Sequence, residues 1–330
     1  MGRVPLRLNR NPASRMQTLR LSPDGPGLAR AAALLAEGAC VAMPTETVYG
    51  LAADARDGAA VARIYAAKGR PGFNPLIVHV ADLGAAQALA AFSDQALLLA
   101  RRFWPGALTL VLPLRAGSGI ASLVTAGLDT VGLRVPAHPV AQALLRASAA
   151  PLAAPSANAS GRISPTTADH VLAPEGGLDG RIAAVLDGGP CPLGLESTII
   201  GWPDGRPTLL RPGGIPAEEI EALLGGPLAR PQADPAAPNA PGQLGSHYAP
   251  RASLRLNAHP APGETHLTFG QPGPFSLSDA GDLTQAAARL FDLLRRADAQ
   301  GRPISVAPIP DHGLGAAIND RLRRAAAPRP

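Results

Sequence analysis

Residues 27–50 read GLARAAALLAEGACVAMPTETVYG, and the order of elements in that stretch decides the fold class. Residues 27–38 are rich in Ala and Leu and end at Gly38, a residue suited to the left-handed turn that closes a helix. The apolar run Cys40-Val41-Ala42-Met43 is too short for a second helix and reads as a buried strand, which Pro44 ends. The polar letters Thr45, Glu46 and Thr47 follow at the strand's C-terminal end, where open α/β folds bind their ligands. Helix, buried strand and polar loop form the repeating unit of an α/β protein.

The alternation continues outward. A helix is expected over 61–67 and a strand over 75–80 (PLIVHV). Further strands are expected over 107–112 (ALTLVL) and 130–135 (TVGLRV), near Leu152, and over 183–186, 197–200 and 208–210. Residues 226–250, GGPLARPQADPAAPNAPGQLGSHYAP, carry Pro, Ala and Gly without an apolar period and read as a linker. Beyond it Asp282 can cap a helix with Gln285 at the third position, and Leu283, Ala287, Leu290, Phe291 and Leu294 form one apolar stripe. A strand over 303–307 and a basic helix from Gly315 complete a strand, helix, strand, helix order, a small Rossmann-like unit. No GxGxxG follows a strand, so dinucleotide binding is not inferred. The expected division is a ragged N-terminus over 1–20, a first domain over 21–225, a linker and lid over 226–250 and a small second domain over 251–330.

Composition limits the function classes. Hydrophobic residues at 46% against 17% charged supply a core large enough for two domains in 330 residues. Two cysteines, Cys40 and Cys191, exclude a disulfide framework and a cysteine-based zinc site and read as reduced thiols. Arg3, Arg7, Arg10, Arg15 and Arg20 meet no acid in the first 20 residues, but the apolar segment of a secretory signal is missing; a transit peptide and an over-extended start with Met16 as the true first residue are the two readings. No apolar run reaches membrane-spanning length, and the expected location is cytoplasmic with no membrane partner. A net charge of +5 suits nucleotides and permits weak RNA contact, while 3% aromatic content disfavours stacking on single strands.

Four segments carry polar groups that a plain loop does not require: 44–50 (PTETVYG), Lys68-Gly69-Arg70-Pro71 with Asn74 and His79, 153–158 (AAPSAN) with Ser160, Gly161 and Ser164, and Glu196-Ser197-Thr198 with Arg211-Pro212-Gly213. Two cations in a Gly/Pro-rich loop suit a polyphosphate. Small hydroxyl and amide groups reach phosphate or ribose oxygens without bulk. Singly, each has an ordinary explanation: a solvated Lys-x-Arg pair, Ser/Asn turn chemistry, a core histidine, a glutamate that caps a backbone N–H.

Together they resemble one family. PTETVYGL, KGRPGFNPLIVH, WPGALTLVL, APSANASGRISPT, LESTII and LLRPGGI follow the order found in the YrdC-type threonylcarbamoyl-AMP synthases. GQLGSHYAP, DLTQAAARLFDLLRRAD and GLGAAINDRLRRAA resemble its long form, which has an extra C-terminal domain. The resemblance runs from about Leu28 to Ala327. It implies a YrdC-like twisted mixed sheet with helices plus the smaller Rossmann-like domain. It also implies synthesis of threonylcarbamoyl-AMP from L-threonine, bicarbonate or CO2 and ATP, with Mg2+ carried on ATP and no dedicated protein metal site. The product would serve the tRNA threonylcarbamoyl-transfer machinery that makes the t6A modification. Carried over residue by residue, Thr47, His79, Arg134, the Ala154 backbone and Ser197 would hold L-threonine. Lys68, Arg70, Asn74, Thr130, Ser156, Asn158, Ser164 and Arg211 would hold ATP, and Tyr248 would fold the linker over the nucleotide as a lid. The sequence departs from the more basic linkers of some long-form members at Gly242-Gln243-Leu244-Gly245-Ser246. A double-stranded RNA-binding factor and a hydrogenase-maturation carbamoyl-transfer module are the competing readings. The latter needs zinc fingers that two cysteines cannot build.

Overall fold

The computed structural model describes residues 17–70, 72, 74–230 and 247–328. The first half runs β1 (Leu19–Leu21), α1 (Gly25–Ala36), β2 (Val41–Met43), β3 (Gly50–Asp54), α2 (Gly58–Lys68), β4 (Ile77–His79), α3 (Leu83–Leu89), α4 (Asp94–Phe103) and β5 (Leu108–Pro113). It continues with α5 (Ser122–Thr125), β6 (Thr130–Arg134), α6 (Pro139–Ser148), β7 (Leu152–Ala153), α7 (Ala168–Leu172), β8 (Ala184–Leu186), β9 (Thr198–Gly201), β10 (Thr208–Arg211) and α8 (Ala217–Leu224). The helices begin where the letters supply caps. Asp24, Asp57, Asp82 and Ser93 each accept from the first-turn amides of α1, α2, α3 and α4. Gly38, at φ 78°, follows α1.

The strands form one ten-stranded sheet in the order β1-β8-β2-β3-β7-β4-β6-β5-β9-β10. It is mixed: β1/β8, β2/β8, β4/β6 and β5/β9 pair parallel, the rest antiparallel. The register of β4 on β6 sets His79 opposite Arg134. Leu108, Leu110, Leu133, Val78 and Leu51 are fully buried at its centre.

The second domain contains β11 (Leu254–Arg255), β12 (Thr265–Leu267), α9 (Leu283–Asp298), β13 (Ile304–Val306) and α10 (Leu314–Ala326). Its three strands are parallel in the order β11-β13-β12, with α9 as the crossover between β12 and β13. Asp282 caps α9, accepting from Gln285 N at 2.7 Å, while its own amide donates to Ser278 Oγ at 2.9 Å. Ala287, Leu290, Phe291 and Leu294 are fully buried, and Leu283 packs at their edge. Val48, Ile163 and Leu195 of the first domain belong to the same apolar cluster as Phe291 and Leu294, so the two domains share part of a core.

Four details differ from the sequence expectations. β3 is not among the expected strands, since Gly50-Leu51-Ala52-Ala53-Asp54 lacks β-branched residues; pairing to β2 and β7 makes it a strand. Lys68 is the last residue of α2 rather than a loop residue, and Gly69 ends the helix at φ 61°. β1 crosses the expected boundary at residue 20, held by β8 and by Arg20 ion pairs to Asp187 and Asp169 at 2.6 and 2.8 Å. Within 226–250, Leu228 is buried in the first domain's core and Ala229 bridges to Thr208. Residues 231–246 and Met16 lie outside the described residues. No helix among the described residues is long and apolar enough to cross a membrane.

Candidate active site

The ends of β2, β4, β6, β7 and β9 converge on one buried cleft. On its first side Arg134, at the end of β6, is 4% exposed. Its Nη1 donates to Thr47 Oγ1 at 2.9 Å, its Nη2 to Glu46 Oε1 at 2.6 Å and its Nε to Gly106 O at 3.2 Å. Glu46 turns its other oxygen to the Ala137 amide at 3.0 Å. Thr45 Oγ1 lies 2.7 Å from Thr47 Oγ1, which fixes the loop after β2. His79 is buried beside Arg134. Burial first, then the Arg134 charge, lowers its pKa to about 3, so the ring is neutral, and Nδ1 has no partner among the described residues. Ala154 N–H is committed to Ile77 O at 2.9 Å. Ser197 Oγ pairs with Thr109 Oγ1 at 2.7 Å and Ser197 O accepts from Arg211 Nη2 at 2.9 Å.

The second side is built on the end of α2. Lys68 Nζ donates to Ser156 O and Asn158 O, both at 2.5 Å. Burial, then the Arg70 charge, pushes its pKa well below the ordinary lysine range. Arg70 donates to Asn74 O at 3.3 Å and Pro75 O at 3.0 Å, and burial lowers it to about 10. Neither Lys68 nor Arg70 pairs with a carboxylate among the described residues. Burial also brings Arg211 down to about 10. The Oδ1 atoms of Asn74 and Asn158 are buried and have no partner among the described residues. Such buried acceptors are uncommon in a folded protein, and each is free to accept from a bound group or a water.

The roof comes from the second domain. Tyr248, 1% exposed and at φ 61°, stacks on Phe291 of α9 at 5.6 Å and lies under the Arg321 guanidinium of α10 at 5.3 Å. Arg321 is fully buried; its Nε donates to Glu196 Oε2 at 2.7 Å, while Ser164 Oγ donates to Glu196 Oε1 at 2.6 Å. Burial opposes ionisation of Glu196, yet Arg321 and Arg211 outweigh it and hold the carboxyl below its usual range. His247 N donates to Arg324 O at 3.1 Å. Burial lowers the His247 ring to about 3. A cavity of about 60 Å³ remains between Thr47, His79, Arg134, Arg70, Arg211 and Tyr248.

Comparison with known proteins gives this geometry its family. Residues 33–213 match the family Sua5_yciO_yrdC, described as Telomere recombination, and residues 215–327 match the one described as Threonylcarbamoyl-AMP synthase, C-terminal domain. The Threonylcarbamoyl-AMP synthase of Bacillus subtilis is 44% identical over 338 residues, covering 94% of this chain and 96% of its own. This chain belongs to the threonylcarbamoyl-AMP synthase family. It is an enzyme. The synthase of Pyrococcus abyssi is 41% identical over 323 residues, covering 89% of this chain and 92% of its own. The crystal structure of P. abyssi Sua5 complexed with L-threonine superposes with a TM-score of 0.84 at 38% identity, covering 94% of this chain and 97% of that one.

Of the positions carried over from the family resemblance, Thr47, His79, Arg134, Ala154, Ser197, Arg70, Ser156, Arg211 and Tyr248 line the cavity. Lys68, Asn74 and Ser164 stand one hydrogen bond behind, Lys68 on Ser156, Asn74 on Arg70 and Ser164 on Glu196, and Asn158 stands a further bond back on Lys68. Thr130 is not brought to the cavity. It opens β6 opposite Pro113, roughly 13 Å along the strand from Arg134. Sequence reasoning left out Glu46 as the partner of Arg134, His247, and Arg321. The signal for Arg321 was its position: in a family synthase helix that reads as basic, Ile318, Arg321, Leu322 and Ala325 share the buried face.

Proposed function

We propose that the chain synthesises threonylcarbamoyl-AMP from L-threonine, bicarbonate or CO2 and ATP, releasing pyrophosphate, and so supplies the t6A modification of tRNA. One observation supports this most: a buried cleft holds Lys68 and Arg70 without a carboxylate partner on one side and a neutral His79 beside Arg134 on the other. Cations facing no acid suit the phosphates, and a fork with a neutral ring suits an α-amino acid. Arg134 and Thr47 take the threonine carboxylate and hydroxyl side, and the Ala154 carbonyl, whose N–H is already used, accepts from the amine.

The amine attacks the carbon of CO2, loses a proton and becomes a carbamate. A carbamate oxygen then attacks the α-phosphorus of ATP. The bond to the bridging oxygen breaks, and pyrophosphate leaves with the electron pair. The protein's part is alignment and charge stabilisation by Lys68, Arg70 and Arg211. Mg2+ enters on ATP as part of the substrate, since Glu46 and Glu196, the carboxylates beside the cavity, are each taken by an arginine. A cavity of about 60 Å³ is far smaller than the roughly 300–1,000 Å³ of small-molecule sites, so the His247–Tyr248 segment acts as a lid that swings out to admit ATP.

The test is pyrophosphate release by the purified protein with Mg2+ and ATP, with and without threonine and bicarbonate. Release that requires both is expected. Release with neither means a plain ATPase activity and a wrong substrate assignment. No release together with tight binding to structured RNA gives the RNA-binding reading first place.

A further inference from the structure

Behind the loop that follows β7, a second and larger cavity of about 440 Å³ opens between the two domains. Arginines from four separate segments face it: Arg162 after the loop, Arg181 before β8, Arg251 after the lid and Arg295 on α9. Two carboxylates, Glu175 and Asp298, share it, so the lining carries an excess of positive charge. Those carboxylates are already engaged. Asp298 Oδ1 accepts from Ala252 N at 2.8 Å, and Arg251 lies 3.4 Å from Asp298 and 3.6 Å from Glu175.

The other three guanidiniums have donors to spare. Arg295 donates to Ile163 O, but its buried Nε has no protein partner. Among the described residues Arg181 reaches only Ala67 O, at 3.4 Å. Arg162 makes no side-chain hydrogen bond or ion pair among the described residues. A guanidinium has five N–H donors in a planar fork that matches phosphate oxygens; an anion here would meet the buried Arg295 Nε and replace water on the exposed Arg162 and Arg181. The acceptor must carry more than one charge and span several arginines. A compact polyanion fits a cavity that two domains part-enclose better than a nucleic-acid backbone, which needs a continuous track.

We propose that this inter-domain cavity is a second anion site, which takes a phosphoanhydride: free pyrophosphate or the polyphosphate tail of a nucleotide. Its wall is also the back wall of the active site. Asn158 Nδ2 donates to Ala159 O at 2.8 Å and Arg162 O at 2.9 Å, Ser160 N donates to Lys68 O at 2.8 Å, and Ala249 N donates to Gly161 O at 2.9 Å. An anion held by Arg162 and Arg295 therefore braces the nucleotide loop, the lid and α9 against one another, and its binding stabilises the docked domains.

The test is calorimetric titration of pyrophosphate into the full chain, into Lys68→Ala and into Arg162→Ala/Arg181→Ala. Both arginines are exposed, so the double variant leaves the core intact. The expected result is an equivalent that persists in Lys68→Ala, weakens about ten-fold or more in the arginine variant and weakens further with added salt. Identical titrations of the arginine variant and the unaltered chain overturn the proposal. So does a single equivalent abolished by Lys68→Ala, provided that variant keeps the thermal midpoint of the unaltered chain. In Lys68→Ala, displacement of pyrophosphate by ATP but not by AMP assigns the nucleotide tail, and no displacement by either assigns free pyrophosphate. Threonine-dependent pyrophosphate release is read separately, so an unaltered chain that shows that release but no second equivalent removes the second site and leaves the proposed reaction standing.

Discussion

Three of the five N–H donors of Arg134 are committed to Gly106, Thr47 and Glu46, which leaves two for a substrate carboxylate. Each charge-assisted bond contributes about 1.5–3 kcal/mol, so loss of both makes Arg134→Ala weaken threonine binding about 100-fold or more and ATP binding far less. Separate titrations of the two ligands check this. Equal losses mean that the arginine only supports the fold, and Arg134→Lys, which keeps a charge for Glu46, guards against reading a collapsed loop as a lost contact. The two buried histidines make a second prediction. His79 and His247 have folded pKa values of about 3 against an ordinary 6.5. Between those values the unfolded chain takes up protons that the folded chain refuses. Stability is therefore complete above pH 6.5 and falls as pH drops toward 3, by about 1.4 kcal/mol per pH unit for each ring. Glu196, held below its ordinary 4.5, adds to the loss only at the acid end. His79→Gln is expected to flatten the fall by one histidine's share when urea midpoints are compared across this range; an unchanged slope means that the ring titrates normally.

At the scale of elements, the docking of α9 depends on a glycine. Gly194 sits at φ 72°, and a Cβ there would lie 2.5 Å from Ala287 O and 2.6 Å from Ala288 Cα. Gly194→Ala forces the loop before β9 and the second turn of α9 apart, a loss of about 2–3 kcal/mol, visible as a second, lower thermal transition. A single unshifted transition counts against it. The His247–Tyr248 segment carries a related strain, since Tyr248 holds a left-handed backbone that costs a non-glycine residue about 1–2 kcal/mol. Tyr248→Ala is expected to slow turnover or let the adenylate escape, measured as product in solution per pyrophosphate released; unchanged kinetics remove the lid. How far these elements were legible follows from their chemistry. α1 announced itself through Ala, Leu and Gly38, and α9 through Asp282 and its apolar stripe, because caps and periodicity are local signals. β3 did not, because its Ala-rich letters become a strand only between β2 and β7. The cleft's polar residues were legible as motifs. The Glu46–Arg134 and Glu196–Arg321 pairs were not, because each joins positions far apart in the chain.

Across the whole molecule, the two domains meet through a buried charge pair as well as a shared apolar cluster. Removing Arg321 leaves the Glu196 carboxylate buried with one cation fewer, and Arg321→Met is expected to lower the unfolding free energy by about 3–5 kcal/mol. Arg321→Met/Glu196→Gln should regain most of that loss, because replacing both members of a buried pair is close to neutral. Equal losses in urea unfolding for the single and double variants would show that the two groups do not depend on each other. Glu196 divides its oxygens between Ser164 of its own domain and Arg321 of the other. That division has a hereditary consequence. The two coding segments are expected to travel as one block, and a chimaera that joins this first domain to a foreign second domain should fold firmly only when the donor brings a guanidinium to the place of Arg321.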